Sequence, residues 1–158
     1  MECVLREVRD DDLAVLFEHW VDPAAMDMAA FTTPDHTDPA AFERRWQRLR
    51  ADDTLILRTI EVDGEVAGTI GSWGEPGERE VTYWIGRPYW GRGIATRAVA
   101  AFLAVEPSRP LHGRVAADNV ASRRVLEKCG FRAIGTDRGF AQARGCEIEE
   151  TVLRREEP

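Results

Sequence analysis

The sequence predicts an α+β domain built on a mixed, mostly antiparallel twisted sheet of about seven strands with about four helices. Three observations lead to this prediction. The chain has 158 residues, so residues 1–158 are expected to form a single domain. Three consecutive strand patterns separated by turn signals predict an antiparallel meander. Strand and helix patterns then alternate, which indicates one parallel crossover.

The N-terminal third predicts a short strand followed by helices. After a strand-like opening, apolar residues recur at helical spacing behind Asp10 or Asp11, and either residue suits a helix N-cap. Residues 22–39 are rich in Pro, Asp, Thr and Met, so we expect an irregular, partly helical segment. Asp38 and Pro39 suit the N-cap and first residue of a second helix.

The middle of the chain predicts three antiparallel strands. Residues 55–62 and 65–73 are rich in Ile, Val, Thr and Leu, and the Asp63-Gly64 pair between them suits a type I′ hairpin turn. Residues 79–85 alternate as a third strand. One face of it carries Glu80, Thr82 and Trp84, and the other carries Val81, Tyr83 and Ile85.

The remaining elements follow a glycine-rich turn. Residues 90–96 lead into a helix that Pro107 ends. A strand at residues 111–116 precedes a helix capped near Asn119 and ended by Gly130 in a left-handed conformation. The last two strands are expected near residues 131–136 and 147–153.

Composition excludes several classes of protein. The longest uncharged apolar run, residues 98–105, is far shorter than the roughly 20 residues of a membrane span. The three cysteines are odd in number and widely spaced, which favours free thiols in a reducing, cytoplasmic compartment. The net charge of −7 argues against nonspecific nucleic-acid binding. We therefore expect no nucleic-acid, membrane or metal partner.

The charge is unevenly distributed along the chain. Residues 1–80 carry 8 basic and 19 acidic side chains, net −11, whereas residues 81–158 carry 13 basic and 9 acidic ones, net +4. Between Arg87 and Lys128, eight basic residues meet three acids, net +5. This stretch favours an anionic ligand, although a solvated helix face explains the same charges.

The glycine-rich turn has the features of a phosphate site. A strand that passes through Gly91 and Gly93 into a helix directs several N–H groups and the positive end of the helix dipole to one point. The turn contains no lysine, which excludes a Walker loop. Thr96 stands where a dinucleotide fingerprint has its third glycine. A plain strand-to-helix turn explains the same glycines.

Residues 80–96 and 119–131 together resemble the GNAT superfamily of N-acetyltransferases, most of all its ribosomal-protein N-terminal acetyltransferases. The resemblance implies the acyl-CoA N-acyltransferase fold, with acetyl-CoA as cosubstrate and no metal. The family's diphosphate signature, Gln/Arg-x-x-Gly-x-Gly/Ala, aligns with residues 90–95, where Trp90 departs from the first position. The resemblance implies that the main-chain amides of residues 92–96 hold the pyrophosphate.

The resemblance also implies where the rest of the coenzyme lies. Pantetheine would lie in an opening where a bulge splays the third strand from the fourth, and Arg123, Arg124 or Lys128 would reach the 3′-phosphate. The expected cofactor-binding residues are Tyr83, Trp84, Ile85, Arg87, Trp90, Gly91, Arg92, Gly93, Ile94, Ala95, Thr96, Asn119, Ser122 and Arg124.

Acetyl transfer to an amine needs a base, because only about one lysine-like amine in a thousand or fewer is neutral at pH 7. Glu80 begins the third strand, where the family often has a carboxylate, and is the first candidate for a catalytic base. A charge at a strand end explains it equally well. Glu75 and Glu78 in the adjacent turn are alternatives, and His36 is a weaker one.

The leaving thiolate needs a proton, and the oxygen of the reacting carbonyl needs a donor. Many family members supply a tyrosine in the second of the two later helices, where this chain has Leu126. Ser122, one turn earlier, is the candidate catalytic proton donor. An amide near Trp84 or Ile85 would stabilise the oxyanion.

The sequence therefore predicts an N-acetyltransferase that moves the acetyl group of acetyl-CoA to a primary amine by direct attack in a ternary complex. The acidic first half suggests a cationic acceptor, either a small-molecule amine or a protein N-terminus. A noncatalytic acyl-CoA-binding sensor is the alternative, because Leu126 and the uncertain base weaken the case for catalysis. A homodimer is compatible with the sequence, which does not fix the oligomeric state.

Overall fold

The computed structural model describes residues 1–157, and these form one seven-stranded sheet with five α-helices. The strands are β1 (Cys3–Arg6), β2 (Ile56–Val62), β3 (Glu65–Trp73), β4 (Glu80–Ile85), β5 (Leu111–Ala116), β6 (Arg132–Ala141) and β7 (Cys146–Arg155). The helices are α1 (Leu13–Trp20), α2 (Pro23–Ala29), α3 (Pro39–Ala51), α4 (Ile94–Val105) and α5 (Val120–Lys128).

The sheet is open and mostly antiparallel, in the order β1-β2-β3-β4-β5-β7-β6. Its one parallel pair among the described residues is β4 with β5, and α4 makes the crossover between them. The α+β prediction is therefore confirmed. Residues 1–157 contain five α-helices rather than about four, because Asp22 accepts a hydrogen bond from the Ala25 N–H at 3.3 Å and Pro23 starts a two-turn helix inside the segment expected to be irregular and partly helical.

The β2–β3 hairpin has the predicted turn. Asp63 and Gly64 both have positive φ, 49° and 84°, which is the conformation that a type I′ turn requires. The pairing runs from Ile56 opposite Ser72 to Val62 opposite Glu65, with one irregularity near Ile60. The turn therefore sets the register of the two central strands.

The sheet separates two apolar layers. One layer packs against α4 and α5 and includes the fully buried Ile70, Phe102 and Leu126. The other packs against α1 and α3 around Leu16, Phe42 and Trp46. The alternation predicted for β4 is confirmed: Val81 and Ile85 are buried with α4 and α5, and the ring of Trp84 lies 4.8 Å from that of Trp20 on α1. These contacts assign the two faces of β4.

The start of α1 differs from the prediction. Asp10–Asp12 forms a turn of 3-10 helix, and Asp12, rather than Asp10 or Asp11, precedes the first helical residue. The carboxylate of Asp12 accepts two hydrogen bonds from the Arg6 guanidinium at 2.8 Å, one from the Arg9 amide and one from the Thr59 hydroxyl. Long-range contacts to β1 and β2 thus decide where the helix begins.

The buried Asp12 carboxylate should make the free energy of unfolding depend on pH. Burial raises the pKa of Asp12, but the hydrogen bonds from Arg6, the Arg9 amide and Thr59 outweigh it and lower the pKa from 3.8 to about 2. The difference contributes about 2 kcal/mol of folding free energy, which is present above pH 4 and is lost as the pH falls towards 2. Urea unfolding between pH 7 and pH 2.5 should show a steeper acid loss for the wild type than for Asp12→Asn.

The neighbouring acid supplies a matched control. Asp11 is exposed and belongs to the same acidic run, so Asp11→Asn should follow the wild-type curve at every pH. Parallel curves for the wild type and Asp12→Asn would contradict the assignment of this stability to Asp12.

Candidate active site

The glycine-rich turn leaves the N-terminus of α4 open. Gly91 and Gly93 have φ values of 72° and 75°, a left-handed conformation that side chains disfavour. The first main-chain hydrogen bond of the helix runs from the Arg97 N–H to the Gly93 carbonyl at 3.2 Å. Within the described chain, the amides of residues 92–96 therefore have no main-chain acceptor, and the helix dipole adds positive potential there. An anion with several oxygens fits this arrangement.

The side chains around the turn have different roles. The Trp90 indole N–H donates to the Ile85 carbonyl at 2.8 Å and so ties the turn to the end of β4. Ile94 is 1% exposed and anchors α4 in the core, so only its amide faces the turn. Arg87 pairs with Asp22 at 3.3 Å, and the Arg92 guanidinium lies 5.5 Å from the Tyr89 ring centre. Gly91, Arg92 and Gly93 are exposed, and Ala95 and Thr96 are half-buried.

The strands β4 and β5 separate from each other soon after they meet. They share a single parallel pair, Glu80 opposite His112. The expected bulge is wrong for the β3–β4 ladder, whose register runs unbroken from Trp73 opposite Glu80 to Gly68 opposite Ile85. The expected opening between β4 and β5 is nevertheless present: beyond their single pair, β4 remains paired with β3, and β5 is paired along its whole length with β7.

Unpaired main-chain groups line this opening. Along a strand, these groups point alternately to the two neighbouring strands. The Arg79 carbonyl accepts from the His112 N–H at 2.8 Å, so odd-numbered residues of β4 face β5, and the Gly86 N–H agrees by donating to β3 at 2.9 Å. Tyr83 therefore directs its N–H and carbonyl into the opening, and Ile85 directs its N–H there. The amide of Trp84, by the same rule, faces β3.

Glu80 lies at the closed end of the opening. Its side chain is 16% exposed, and one carboxylate oxygen is 3.7 Å from the Arg114 Nε. Burial raises the pKa of Glu80, Arg114 lowers it and Glu150 raises it, and the net effect is a pKa above the usual 4.5. Arg114 is shared with Glu150 at 2.7 Å and Asp137 at 3.1 Å. A partly desolvated carboxylate that is not locked in a short ion pair suits a general base.

The other face of β4 carries a pair of hydroxyl groups. The Tyr83 phenol is hydrogen-bonded to the Ser122 hydroxyl in the first turn of α5. Burial raises the pKa of Tyr83, the Ser122 contact lowers it and Cys129 raises it, to about 12. Asn119 accepts from the Ser122 N–H at 3.2 Å and donates to the Met28 carbonyl at 3.3 Å, so it caps α5 and ties α2 to it. The predicted site residues Tyr83, Asn119 and Ser122 are thus brought together.

The phenol reaches α5 from a strand, which the sequence did not reveal. Leu126 is 1% exposed and fills the core against β5, where a Cβ on Gly113 would lie 2.7 Å from its Cδ1. Tyr83 was expected only as a cofactor-binding residue. The alternation of β4 placed its side chain on the α5 face and was the one signal for this contact.

The alternative bases are less well placed. His36 is 3% exposed, its ring stacks on Trp20 at 3.9 Å, and its Nε2 lies 2.7 Å from the Trp20 carbonyl. Burial, the largest effect, lowers the pKa of His36. Glu75 and Glu78 are exposed in the β3–β4 turn. Glu80 is therefore the predicted base that adjoins the β4–β5 opening.

The basic stretch does not all surround the turn. Arg109 lies beyond the C-terminus of α4, a helix about 18 Å long, and donates to the Glu106 and Ser108 carbonyls at 2.8 Å. Arg123 pairs with Glu127 at 3.4 Å. Arg124 and Lys128 are exposed on α5. The charge near the turn is consequently smaller than the count along the sequence suggests.

An aromatic cavity lies on the Glu80 face of the sheet. It has a volume of about 90 Å³ between α1, α3 and the sheet, and Thr82 and Trp84 of β4 line it. The Arg45 guanidinium lies 5.3 Å from the Trp20 ring centre at the same cavity. Because side chains two apart on a strand share a face, Thr82 is the neighbour of Glu80 here.

Known proteins match this chain over most of its length. A family model described as an acetyltransferase (GNAT) domain matches residues 3–132. The Uncharacterized N-acetyltransferase p20 of Bacillus licheniformis is 26% identical over 166 residues, covering 96% of this chain and 93% of its own. Two solved structures show the same fold. RimJ from Mycobacterium smegmatis in complex with CoA-disulfide is 24% identical with a TM-score of 0.80, over 98% of this chain and 81% of that one.

The spermidine N-acetyltransferase of Vibrio cholerae in complex with CoA and spermine is 15% identical with a TM-score of 0.81, over 98% of this chain and 95% of its own. No helix among residues 1–157 is long and apolar enough to cross a membrane. The GNAT match contains the glycine-rich turn, the β4–β5 opening and the first turn of α5, and the fold agrees with it. This chain therefore belongs to the GNAT family and is an acetyl-CoA-dependent N-acetyltransferase.

Proposed function

We propose that the protein transfers the acetyl group directly from acetyl-CoA to a primary amine while both are bound. The observation that carries this proposal is the placement of Glu80 and the Tyr83–Ser122 pair on opposite faces of β4, beside an opening with unpaired main-chain groups. A base on one side and a proton donor on the other suit an amine and a thioester that meet in the opening. No covalent intermediate on the protein is needed.

The coenzyme is proposed to bind along the path that the sequence predicted. The amides of residues 92–96 hold the diphosphate, with Gly91 and Gly93 keeping side chains away from it. Pantetheine follows β4 and pairs with the main chain of Tyr83. Arg87, Trp90, Asn119 and Arg124 are proposed to contact the coenzyme along this path, with Arg124, which is exposed on α5, meeting the 3′-phosphate.

The proposed chemistry uses three groups of the protein. Glu80 accepts the proton that the amine loses, directly or through one water, as the new C–N bond forms. The Ile85 N–H, which faces the opening, donates to the carbonyl oxygen as negative charge develops on it. Ser122 donates its hydroxyl proton to the sulfur when the C–S bond breaks. One proton is taken up and one is released, and exchange with solvent restores both side chains.

The acceptor is proposed to be a small-molecule amine or a protein N-terminus. Proteins of the same fold include a spermidine N-acetyltransferase and a ribosomal L7/L12 alpha-N-protein acetyltransferase, which are consistent with the first and the second class of acceptor. An α-amino group suits Glu80 better than a lysine-like amine, because roughly a tenth of it is already neutral at pH 7. The aromatic cavity beside Thr82 offers room for an apolar group next to that amine.

Coenzyme binding tests the turn. A Cβ at Gly93 would point into open space, so Gly93→Trp should fill the space in front of α4 and add the strain of a left-handed residue. We expect calorimetric titration to show at least about a 100-fold loss of acetyl-CoA affinity, because several main-chain hydrogen bonds to the diphosphate are lost together.

Gly64 provides the matched control for this substitution. It also has positive φ and open space, but it lies in the β2–β3 turn. Gly64→Trp should bind acetyl-CoA like the wild type. Equal acetyl-CoA affinity of Gly93→Trp and Gly64→Trp would contradict the proposal that the diphosphate binds at the glycine-rich turn. Binding of acetyl-CoA by the wild type without acetylation of any amine in a panel would favour a coenzyme sensor.

Glu80→Gln tests the base. With an α-amino acceptor of pKa near 8, we expect kcat/KM to fall by about 100-fold or more at pH 6.5. The defect should shrink towards pH 9, where the amine is already neutral. Thiol release measured across this pH range gives both profiles.

Glu150→Gln is the electrostatic control, because Glu150 accepts from the same Arg114 and its side chain is similarly buried, 17% against 16% exposed. It removes the same charge from the same cluster on a different strand and should keep most of the wild-type rate. A decrease in kcat/KM of Glu80→Gln that is small, or equal at every pH, would show that Glu80 is not the base.

A further inference from the structure

The surrounding structure indicates which hydroxyl group is the donor in the Tyr83–Ser122 hydrogen bond. The Tyr83 hydroxyl is half-buried between β4 and α5, and the Ser122 hydroxyl is its hydrogen-bond partner, with the Ser122 carbonyl a weaker second acceptor at 3.4 Å. Either hydroxyl can donate to the other. If Ser122 donated, its only hydroxyl hydrogen would be used up, and nothing would remain for a leaving group.

The proton of Tyr83 stays in place under working conditions. Burial, the largest effect, helps to raise the pKa of the phenol to about 12, so the phenol remains a donor at neutral pH. The second acceptor near it, the Ser122 carbonyl, is too distant for a strong hydrogen bond. The phenol hydrogen is therefore best used by the oxygen of the Ser122 hydroxyl.

The main chain at Ser122 is already fixed by other contacts. The Asn119 side chain accepts from the Ser122 N–H at 3.2 Å and holds the first turn of α5. The remaining freedom of Ser122 is the rotation of its side chain and of its hydroxyl hydrogen. A donor on one side of the oxygen restricts that hydrogen to the other side.

We propose that Tyr83 is a positioning residue that donates its phenol hydrogen to Ser122 and thereby directs the Ser122 hydroxyl hydrogen towards the departing sulfur of the thioester. This inference rests on the proposed function and adds a residue to it. It places the role of a tyrosine on β4, although α5 carries Leu126 at the position where the family often has one.

The proton and electron balance gives Tyr83 a second effect. The electron pair of the breaking C–S bond goes to sulfur, and the Ser122 hydrogen follows it, which leaves negative charge on the Ser122 oxygen. Because a phenol with a pKa of about 12 is still more acidic than a serine hydroxyl, its hydrogen shifts towards the Ser122 oxygen as that charge grows, the hydrogen bond becomes charge-assisted and stronger, and solvent later restores the lost proton. A hydrogen bond that strengthens only during the reaction raises kcat and leaves coenzyme affinity unchanged.

The experiment compares four variants on one amine that the wild type acetylates. Tyr83→Phe removes one oxygen atom and keeps the ring, so the melting temperature should change by only a few degrees. We expect kcat to fall about 10-fold or more, with KM for acetyl-CoA and its calorimetric affinity within about 2-fold of the wild type. Ser122→Ala should lower kcat at least as much. The double variant should lose less than about 2-fold beyond Ser122→Ala, because both substitutions break one unit.

The second tyrosine of the chain supplies the matched control. Tyr89 donates to Glu65, the first residue of β3, at 3.1 Å, and Tyr89→Phe, which keeps the ring beside Arg92, should leave kcat unchanged. The inference is overturned if Tyr83→Phe keeps kcat within 2-fold of the wild type, or if it changes KM for acetyl-CoA instead of kcat. It is also overturned if the kcat losses of Tyr83→Phe and Ser122→Ala multiply in the double variant. If the wild type binds acetyl-CoA but acetylates no amine, the proposed function fails first and this inference fails with it.

Discussion

The site depends on one constraint, namely that β4 and β5 are hydrogen-bonded to each other at a single point. Each strand has a full-length partner on its other side, β3 for β4 and β7 for β5. The sheet therefore stays continuous while its middle opens. Main-chain groups of Tyr83 and Ile85 are left without a strand partner, and buried main-chain groups without partners are costly. A ligand that pairs like a strand satisfies them, which is what pantetheine is proposed to do.

Because β4 is a strand, its side chains point alternately to opposite faces, and this geometry separates the proposed base from the proposed acid. Glu80 belongs to the face that carries Trp84 and the aromatic cavity, whereas Tyr83 belongs to the face that carries Ser122. A carboxylate and a hydroxyl on one face could hydrogen-bond to each other instead of to the substrates. On opposite faces, each is proposed to meet its own substrate atom, nitrogen for Glu80 and sulfur for Ser122. The opening in the sheet is where the two substrates can meet.

The features that depend on a few adjacent residues were predicted correctly from the sequence. The Asp63-Gly64 turn, the alternation of β4 and the glycines before α4 all follow from main-chain preferences of a few adjacent residues, and the structure has them as expected. The predicted start of α1 was wrong because the Asp12 carboxylate accepts hydrogen bonds from Arg6 and Thr59, which belong to two different strands. The prediction of a bulge was wrong because the β3–β4 register is unbroken, although β4 and β5 do separate as expected.

The Tyr83–Ser122 contact shows the same limit at the site itself. Its residues are 39 positions apart, and no spacing rule connects a strand with a helix that follows several elements later. The sequence showed only that Leu126 replaces the usual tyrosine, which weakened the case for catalysis. In the structure, Leu126 packs against Gly113, and the phenol of Tyr83 on β4 contacts Ser122 in the first turn of α5. The hydroxyl group proposed to lie beside the sulfur is therefore that of Ser122 on α5, with the Tyr83 phenol of β4 as its partner.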